Sequence, residues 1–263
     1  MKLSLEQIKK ITVGALSIWE ENQAFRFAKC TPKQISAWHQ IDEYLGERAK
    51  ITTPGIRLDF HTNSRTFAFT PQVAANYEIY IDNVLMYAFF KSDFETIETK
   101  KIELDGDEHR ITLYLPGHDA GILQTVEIDD DATLLPHKYD CKILFIGDSI
   151  TKGWDSTWDS LSFANHVSRF FNAESIVQGI GRTVYHSTTF DDAIDFDPDI
   201  VIVAYGTNDW QVFPTVEEGR KNCKAFLDQL VTKYGDKKLF GISPIWRADE
   251  SKIREMGTFT ECI

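Results

Sequence analysis

The sequence predicts two domains, an all-β sandwich over residues 1–137 and an α/β domain with an open, doubly wound parallel sheet over residues 138–263. The length of 263 residues suits two modest cores, because single domains usually hold about 100–200 residues. Apolar and polar residues alternate along the first half, as in strands with one buried face. Near-continuous apolar runs separated by helical patterns fill the second half, as in parallel strands covered by helices.

The first half begins with a capping box, Ser4-Leu5-Glu6-Gln7, which predicts a short helix because its side chains can satisfy free backbone N–H groups. After this helix the period changes to strand-like alternation, and Asp82 and Asn83 suit a tight turn between two strands. The pattern predicts two antiparallel sheets packed face to face. The predicted strands lie at 55–60, 66–70, 77–81 and 109–114.

The acidic, loop-like segment 129–140 is the predicted junction between the domains. Beyond it, a capping box at Thr215-Val216-Glu217-Glu218 begins a helix that is predicted to end at Gly235. Strands that alternate with helices imply right-handed crossovers and a parallel sheet. The predicted parallel strands are 141–146, 200–205 and 239–242, and a second helix at 161–171 has Phe163, Val167, Phe170 and Phe171 as its predicted buried stripe.

Composition excludes several classes of partner. The net charge of −12, with no basic cluster, argues against nucleic acid and against anionic membrane surfaces. No apolar tract approaches the roughly 20 residues that cross a bilayer, and no export signal is visible, so a cytoplasmic protein is expected. No metal or other cofactor is implied, because no histidine, cysteine or acidic residues have metal-ligand spacing. The oligomeric state stays open. Four separated cysteines predict reduced thiols: Cys30, Cys141, Cys223 and Cys262.

Three short motifs follow predicted parallel strands, where open α/β sheets bind ligands. Gly147-Asp148-Ser149-Ile150 lets the chain turn sharply and leaves the serine at the start of the next segment, with its N–H facing a developing oxyanion. Gln178-Gly179-Ile180-Gly181 allows a backbone N–H to approach a substrate closely. Gly206-Thr207-Asn208-Asp209 places a neutral amide donor at the same rim. Each motif alone is common, but the three in this order are specific.

With these motifs the sequence resembles the SGNH/GDSL hydrolase superfamily over roughly residues 142–245. The resemblance implies a three-layer, flavodoxin-like α/β domain and an acyl-enzyme mechanism. Ser149 would be the nucleophile, and its N–H, the Gly181 N–H and the Asn208 side chain would form the oxyanion hole. The supporting positions in the same motifs are Gly147, Asp148, Gly179 and Gly206, and Asp148 is expected to hydrogen-bond the local backbone.

The β-rich first half resembles the jelly-roll domain of acetyl esterases of carbohydrate esterase family two. This resemblance implies a small-molecule or carbohydrate ester substrate, with acetyl as the acyl group. Trp154 and Trp210 follow the serine and asparagine motifs and are predicted to stack on a sugar ring. A purely structural or oligomerising β-domain is equally compatible with the sequence.

The sequence departs from the family at its fourth motif, because nothing resembles Asp-x-x-His and no histidine follows His186. Without a base, a serine hydroxyl is a poor nucleophile at neutral pH. We expect a chain truncated before that motif. His186 as a substitute base and a non-catalytic carbohydrate-binding pseudoenzyme remain alternatives. A flavodoxin-like nucleotide binder is the third, although the loop 147–153 lacks a phosphate-binding glycine pattern.

Overall fold

The computed structural model describes residues 1–262, in which helices and strands are distributed unevenly along the chain. The helices are α1 (Leu5–Ile11), α2 (Pro32–Ile41), α3 (Glu43–Ile51), α4 (Ser149–Lys152), α5 (Phe163–Phe170), α6 (Asp209–Val212), α7 (Val216–Tyr234) and α8 (Phe259–Cys262). The strands are β1 (Thr12–Val13), β2 (Ser17–Glu21), β3 (Ala24–Ala28), β4 (Arg57–Thr62), β5 (Thr66–Pro71), β6 (Tyr77–Ile81), β7 (Val84–Phe89), β8 (Lys100–Glu103), β9 (His109–Tyr114), β10 (Leu123–Ile128), β11 (Leu135–Pro136), β12 (Cys141–Gly147), β13 (Ala173–Gly179), β14 (Ile200–Ala204) and β15 (Lys238–Gly241).

The first half contains two antiparallel sheets with a shared core. One sheet has the order β1-β4-β9-β6-β7, with β11 beside β4, and the other has the order β2-β3-β10-β5-β8. Phe60 and Leu113 from the first sheet and Phe67 and Phe69 from the second are fully buried in one cluster. The residues that alternate along these strands therefore face each other between the sheets. The more specific jelly-roll assignment stays a prediction.

A pair of helices interrupts the predicted all-β region. Thr31 caps α2 through a capping box with Gln34, and α3 follows directly. The two helices do not cover the sandwich alone, because their buried side chains pack with Ile180 of the α/β part. The pattern Thr31-Pro32-Lys33-Gln34 is a helix-start signal that the strand-based interpretation of this region did not use.

The second half contains the predicted parallel sheet, in the order β13-β12-β14-β15. This is the flavodoxin-like order, in which the first strand lies inside and the chain reverses direction across it. β12 lies between β13 and β14, and Gly147 at its end pairs with both Gly179 and Ala204. The ends of three neighbouring strands therefore meet at one rim. β15 pairs only with β14 in the described chain, and Phe240 on it is exposed.

The predicted buried stripe of the second helix was right for Phe163 and Val167, which pack partly buried against the core of the parallel sheet, and wrong for Phe170 and Phe171, which are exposed. In α5 the buried residues are Ala164, Asn165 and Ser168, whereas Phe170 is 82% exposed. Small residues on this face allow α5 to pack closely on β13, where Ser168 Oγ donates to Ser175 Oγ at 2.9 Å. The helix is therefore positioned by its small and polar residues together with Phe163 and Val167.

A loop of the α/β part joins it to the sandwich. The Gly55 N–H donates to Asp159 Oδ2 at 2.9 Å, and the Ser160 hydroxyl donates to Glu78. Burial raises the pKa of Asp159 to about 8, so this carboxyl is largely neutral at pH 7. These contacts bring the first half beside the rim of the parallel sheet.

In residues 1–262 no helix is long and apolar enough to cross a membrane.

Candidate active site

Ser149 lies at the first position of α4, directly after the end of β12. Asp148 caps this short helix, because its Oδ1 accepts the Ile150 N–H at 2.9 Å. A β-carbon placed on Gly147 would lie 2.1 Å from Thr151 Oγ1 and 2.6 Å from the Ala204 carbonyl oxygen. Only glycine fits this turn, which leaves Ser149 partly exposed at the rim.

The two glycines at the end of β13 have different surroundings. A β-carbon on Gly179 would meet the Lys152 backbone nitrogen at 2.5 Å, so this glycine allows α4 to pack against the strand end. A β-carbon on Gly181 would lie 3.8 Å from Ser149 Cβ, with no closer neighbour. Gly181 is therefore the glycine whose backbone faces Ser149 across open space.

The end of β14 supplies the third side of the site. Gly206 has a φ of +110°, and Asp209 Oδ2 accepts its N–H at 3.0 Å, so the turn is held from within. Asn208 Nδ2 donates to the Thr183 carbonyl at 3.0 Å and, more weakly, to Asp148 Oδ2 at 3.4 Å. The amide thus lies between the serine turn and the loop after β13.

Two backbone donors face the space beside Ser149. Within residues 1–262, neither the Ser149 N–H nor the Gly181 N–H donates a hydrogen bond to the protein. Backbone groups that lack partners at a partly open rim are suited to bind an oxygen that gains negative charge. Within residues 1–262 both N–H groups are therefore available to a ligand oxygen.

Two buried carboxyl groups, those of Asp148 and Asp209, hydrogen-bond to the turns that form this rim. Burial raises the pKa of Asp148 to about 6, and the nearby Asp209 carboxylate adds to the rise. Burial likewise raises the pKa of Asp209 to about 6, although N–H groups of Tyr185 and Gly206 oppose the rise. Each accepts backbone hydrogen bonds, so these groups hold turns in place.

No histidine within the described chain hydrogen-bonds to Ser149. The His186 ring Nδ1 lies 2.8 Å from Thr188 Oγ1, and burial lowers the pKa of this imidazole. The structure therefore does not join His186 to the serine. Between residues 1 and 262, no three histidine, cysteine or acidic side chains gather as metal ligands.

The two predicted substrate-stacking tryptophans differ sharply in exposure. Trp154 is 61% exposed, and its N–H on the backbone donates to the Ser149 carbonyl at 2.8 Å, so it lies at the open rim. Trp210 is only 2% exposed; its indole N–H donates to the Gly257 carbonyl at 2.9 Å, and its ring packs on Phe259. The prediction that Trp210 stacks on substrate was wrong, because the C-terminal segment covers its ring.

The first half contributes residues that the sequence interpretation missed. His118 Nε2 lies 3.1 Å from the Gly153 carbonyl oxygen, and its ring packs edge-on against Trp154 at 5.8 Å between centroids. Arg48 on α3 donates to the His118 carbonyl at 2.9 Å. No local sequence signal places a histidine 35 residues away beside the serine turn.

Comparisons with known proteins agree with this geometry. Residues 145–257 match the GDSL-like Lipase/Acylhydrolase family, which spans all three motifs. No curated protein matches the chain by sequence. Among solved structures, a salicylyl-acyltransferase, SsfX3, from a tetracycline biosynthetic pathway is similar, with a TM-score of 0.73 and 18% identity over 95% of this chain and 75% of that one.

Two carbohydrate esterases are also similar in fold. One is a family two carbohydrate esterase from Clostridium thermocellum in complex with cellohexaose, with a TM-score of 0.58 and 17% identity over 75% of this chain and 74% of that one. The other is a carbohydrate esterase whose active site displays divergent catalytic and non-catalytic binding functions, with a TM-score of 0.61 and 10% identity over 95% and 92% of the two chains. Residues 145–257 of this chain therefore resemble the GDSL-like Lipase/Acylhydrolase family, and this match supports a carboxylic ester hydrolase of the SGNH type.

Proposed function

We propose that the protein removes acetyl groups from carbohydrate esters through an acyl-enzyme on Ser149. The observation that carries this proposal is the meeting of Ser149, the Gly181 N–H and the Asn208 amide at one rim. In the proposed reaction Ser149 Oγ gives its proton to a base from solution, such as hydroxide or imidazole, and attacks the ester carbonyl, whose oxygen becomes an oxyanion. The oxyanion collapses, the bond between the carbonyl carbon and the sugar oxygen breaks, and that oxygen takes up a proton and leaves as the alcohol. Water then adds to the acyl-serine and releases acetate, a proton and the free serine.

The oxyanion hole consists of two backbone donors and one side-chain donor. The Ser149 and Gly181 N–H groups have no other partners within residues 1–262, so both can bind the oxyanion. Asn208 Nδ2 donates to the Thr183 carbonyl at 3.0 Å and to Asp148 Oδ2 at 3.4 Å. The longer bond, to Asp148, is the one that is replaced by a bond to the oxyanion. Loss of one such donor typically lowers kcat by about 100-fold to 1,000-fold.

A carbohydrate substrate is supported by the fold of the similar family two esterase, which was solved with cellohexaose. Trp154 at the rim offers an exposed aromatic face of the kind that stacks on sugar rings.

Hydrolysis of p-nitrophenyl acetate by this chain and by its Ser149→Ala variant tests the proposal. Because no histidine in the described residues reaches Ser149, each assay is run with and without added imidazole, which can act as an external base. The imidazole-dependent rate is expected to exceed that of Ser149→Ala by about 100-fold. Equal rates for the two proteins, with and without imidazole, would count against a serine esterase.

A non-catalytic carbohydrate-binding protein is the second candidate. One observation favours it: in residues 1–262 no histidine hydrogen-bonds to Ser149. A similar esterase fold is also described with non-catalytic binding functions at its active site. Binding of an acetylated oligosaccharide with no Ser149-dependent turnover, even with imidazole, would support this candidate over the esterase.

A further inference from the structure

Three basic side chains lie on segments next to the serine turn. Arg48 lies on α3, Lys152 ends α4, and Arg182 follows Gly181; we call these three residues the cationic wall. Both guanidinium groups contact the ring of Tyr44, with distances to its centroid of 5.3 Å for Arg48 and 5.4 Å for Arg182. The wall therefore joins the first half of the chain to two of the three strand ends that form the site.

The charges of the cationic wall are not neutralised by ion pairs. No carboxylate lies within ion-pairing distance of Arg48, Lys152 or Arg182 in residues 1–262. Some basic side chains elsewhere form ion pairs, for example Arg110 with Asp59 at 2.7 Å, whereas others, such as Arg169, contact aromatic rings without an ion pair. What distinguishes the wall is that its three cations lie on segments next to the serine turn, in a chain with a net charge of −12.

Lys152 shows the clearest mismatch between charge and surroundings. The residue is only 5% exposed, and its ammonium forms no hydrogen bond with residues 1–262; it lies 5.4 Å from the centroid of the Trp154 ring. Burial and, after it, the charge of Arg48 lower the pKa of Lys152 to about 8. The charges of Asp119 and then Asp159 oppose this shift, although burial keeps Asp159 largely protonated at pH 7.

The other two residues of the wall are held in place. Lys29 donates to the carbonyls of Arg48 and Thr52, at 3.1 Å and 2.8 Å, and so fixes the end of α3. Arg48 itself donates to the His118 carbonyl at 2.9 Å. Arg182 has a φ of +71°, a left-handed conformation that is strained for arginine and is found preferentially at ligand sites.

We propose that the ester substrate of this site carries a negative charge, a carboxylate, which the cationic wall binds beside Ser149. The inference rests on the proposed function and specifies its substrate class: acyl esters of acidic sugars or of other carboxylate-bearing molecules. A carboxylate suits planar guanidinium groups because it accepts two parallel hydrogen bonds. Binding it also supplies Lys152 with the partner that the protein lacks.

The test measures binding separately from turnover, in the Ser149→Ala background. Two ligands of similar shape are compared by titration in NMR: 4-acetoxybenzoate, which is charged, and its neutral methyl ester. The charged ligand is expected to bind about 10-fold more tightly at low ionic strength. Replacement of both arginines in Arg48→Gln/Arg182→Gln should abolish that preference, whereas Lys101→Gln on β8, an exposed residue in the other sheet of the sandwich, should retain it.

Raising the salt concentration should weaken binding of the charged ligand and leave the neutral one unchanged, because exposed charges are screened. Thermal unfolding checks that the double variant folds; if it does not, Arg182→Gln alone serves, since that side chain is exposed. Equal affinity for the two ligands, or a preference that survives loss of Arg182, would overturn the inference. A different result is also informative: the charged ligand binds more tightly, but no Ser149-dependent hydrolysis is found. That result would reject the esterase and leave an anion-binding site.

Discussion

The rim of the parallel sheet and the cationic wall beside it differ in how they are built. The rim consists of tight turns in which Gly147 and Gly179 leave no room for a side chain. The cationic wall consists of three long side chains, of which Arg48 reaches the site from the first half of the chain. Tight turns hold the reacting groups in fixed positions. Long side chains beside them can be exchanged for others during evolution, and such exchanges alter which substrate binds.

The difference teaches that chemistry and specificity are separable here. Residues at the rim should be intolerant of substitution, because each change displaces backbone. Substitutions in the cationic wall should leave the free energy of unfolding nearly unchanged and should lower ligand affinity. The following substitutions test this division, starting with the largest expected effect.

Trp210→Ala should destabilise the protein by about 3–5 kcal/mol, because it removes a large buried ring. The ring is 2% exposed and packs on Phe259, and the indole N–H also loses its bond to Gly257. Urea unfolding measures the free energy. Trp154→Ala is the matched control, with an expected loss below about 1 kcal/mol, since that side chain is 61% exposed. Similar losses for the two variants would refute the assignment of Trp210 to the core.

Gly147→Ala should lower the free energy of unfolding by about 1–3 kcal/mol and abolish hydrolysis, because the new methyl group collides with Thr151 and displaces Ser149. Gly241→Ala is the control in the same sheet, since a β-carbon there meets nothing within 4 Å. Chemical denaturation and ester hydrolysis are measured for both. A Gly147→Ala protein with unchanged activity would show that the turn does not position the serine.

Asp148→Asn should remove a pH-dependent cost of burial. The unfolded carboxyl has a pKa near 3.9, whereas burial raises the pKa of Asp148 in the folded protein to about 6. The folded state therefore retains a proton that the unfolded state loses, and this group reduces stability as the pH rises from about 4 to 6. Asparagine still accepts the Ile150 N–H, so the variant should gain Tm relative to the parent between pH 4.5 and pH 7. A Tm difference that is independent of pH would contradict this electrostatic account.

Trp154→Ala should weaken binding of an acetylated oligosaccharide about threefold to tenfold, the usual contribution of one aromatic contact. The exposed ring lies beside His118 and Lys152, so its loss should change affinity with little change in Tm. Phe170→Ala, which removes an aromatic ring that is 82% exposed on α5, is the control. Equal affinities for Trp154→Ala and the parent would show that this ring does not contact the ligand.

Much of the rim was predictable from sequence because its determinants are local. A strand pattern followed by Gly-Asp-Ser or Gly-Thr-Asn-Asp specifies both the turn and the direction of the next side chain. The parallel sheet was predictable for the same reason. The continuous apolar runs at 141–146 and 200–205 form the adjacent strands β12 and β14.

The wall was not predictable because its contacts join distant segments. Arg48 meets His118 across 70 residues, and no periodicity records such a contact. The two tryptophans each follow a motif, and sequence alone could not distinguish them. Only the position of the C-terminal segment around Gly257 makes Trp210 a core residue. The helices α2 and α3 were missed although the capping box at Thr31 marked the start of the first.

The most direct test of the central claim is whether Ser149 forms a covalent bond as a nucleophile. The protein is treated with a fluorophosphonate, which reacts with activated serines, and the adduct is located by mass spectrometry of peptides, with imidazole present and absent. The account predicts one adduct, on Ser149, that disappears in Ser149→Ala and remains in the control Lys101→Gln. An unlabelled Ser149 under both conditions, or labelling that persists in Ser149→Ala, would contradict a catalytic serine at this rim.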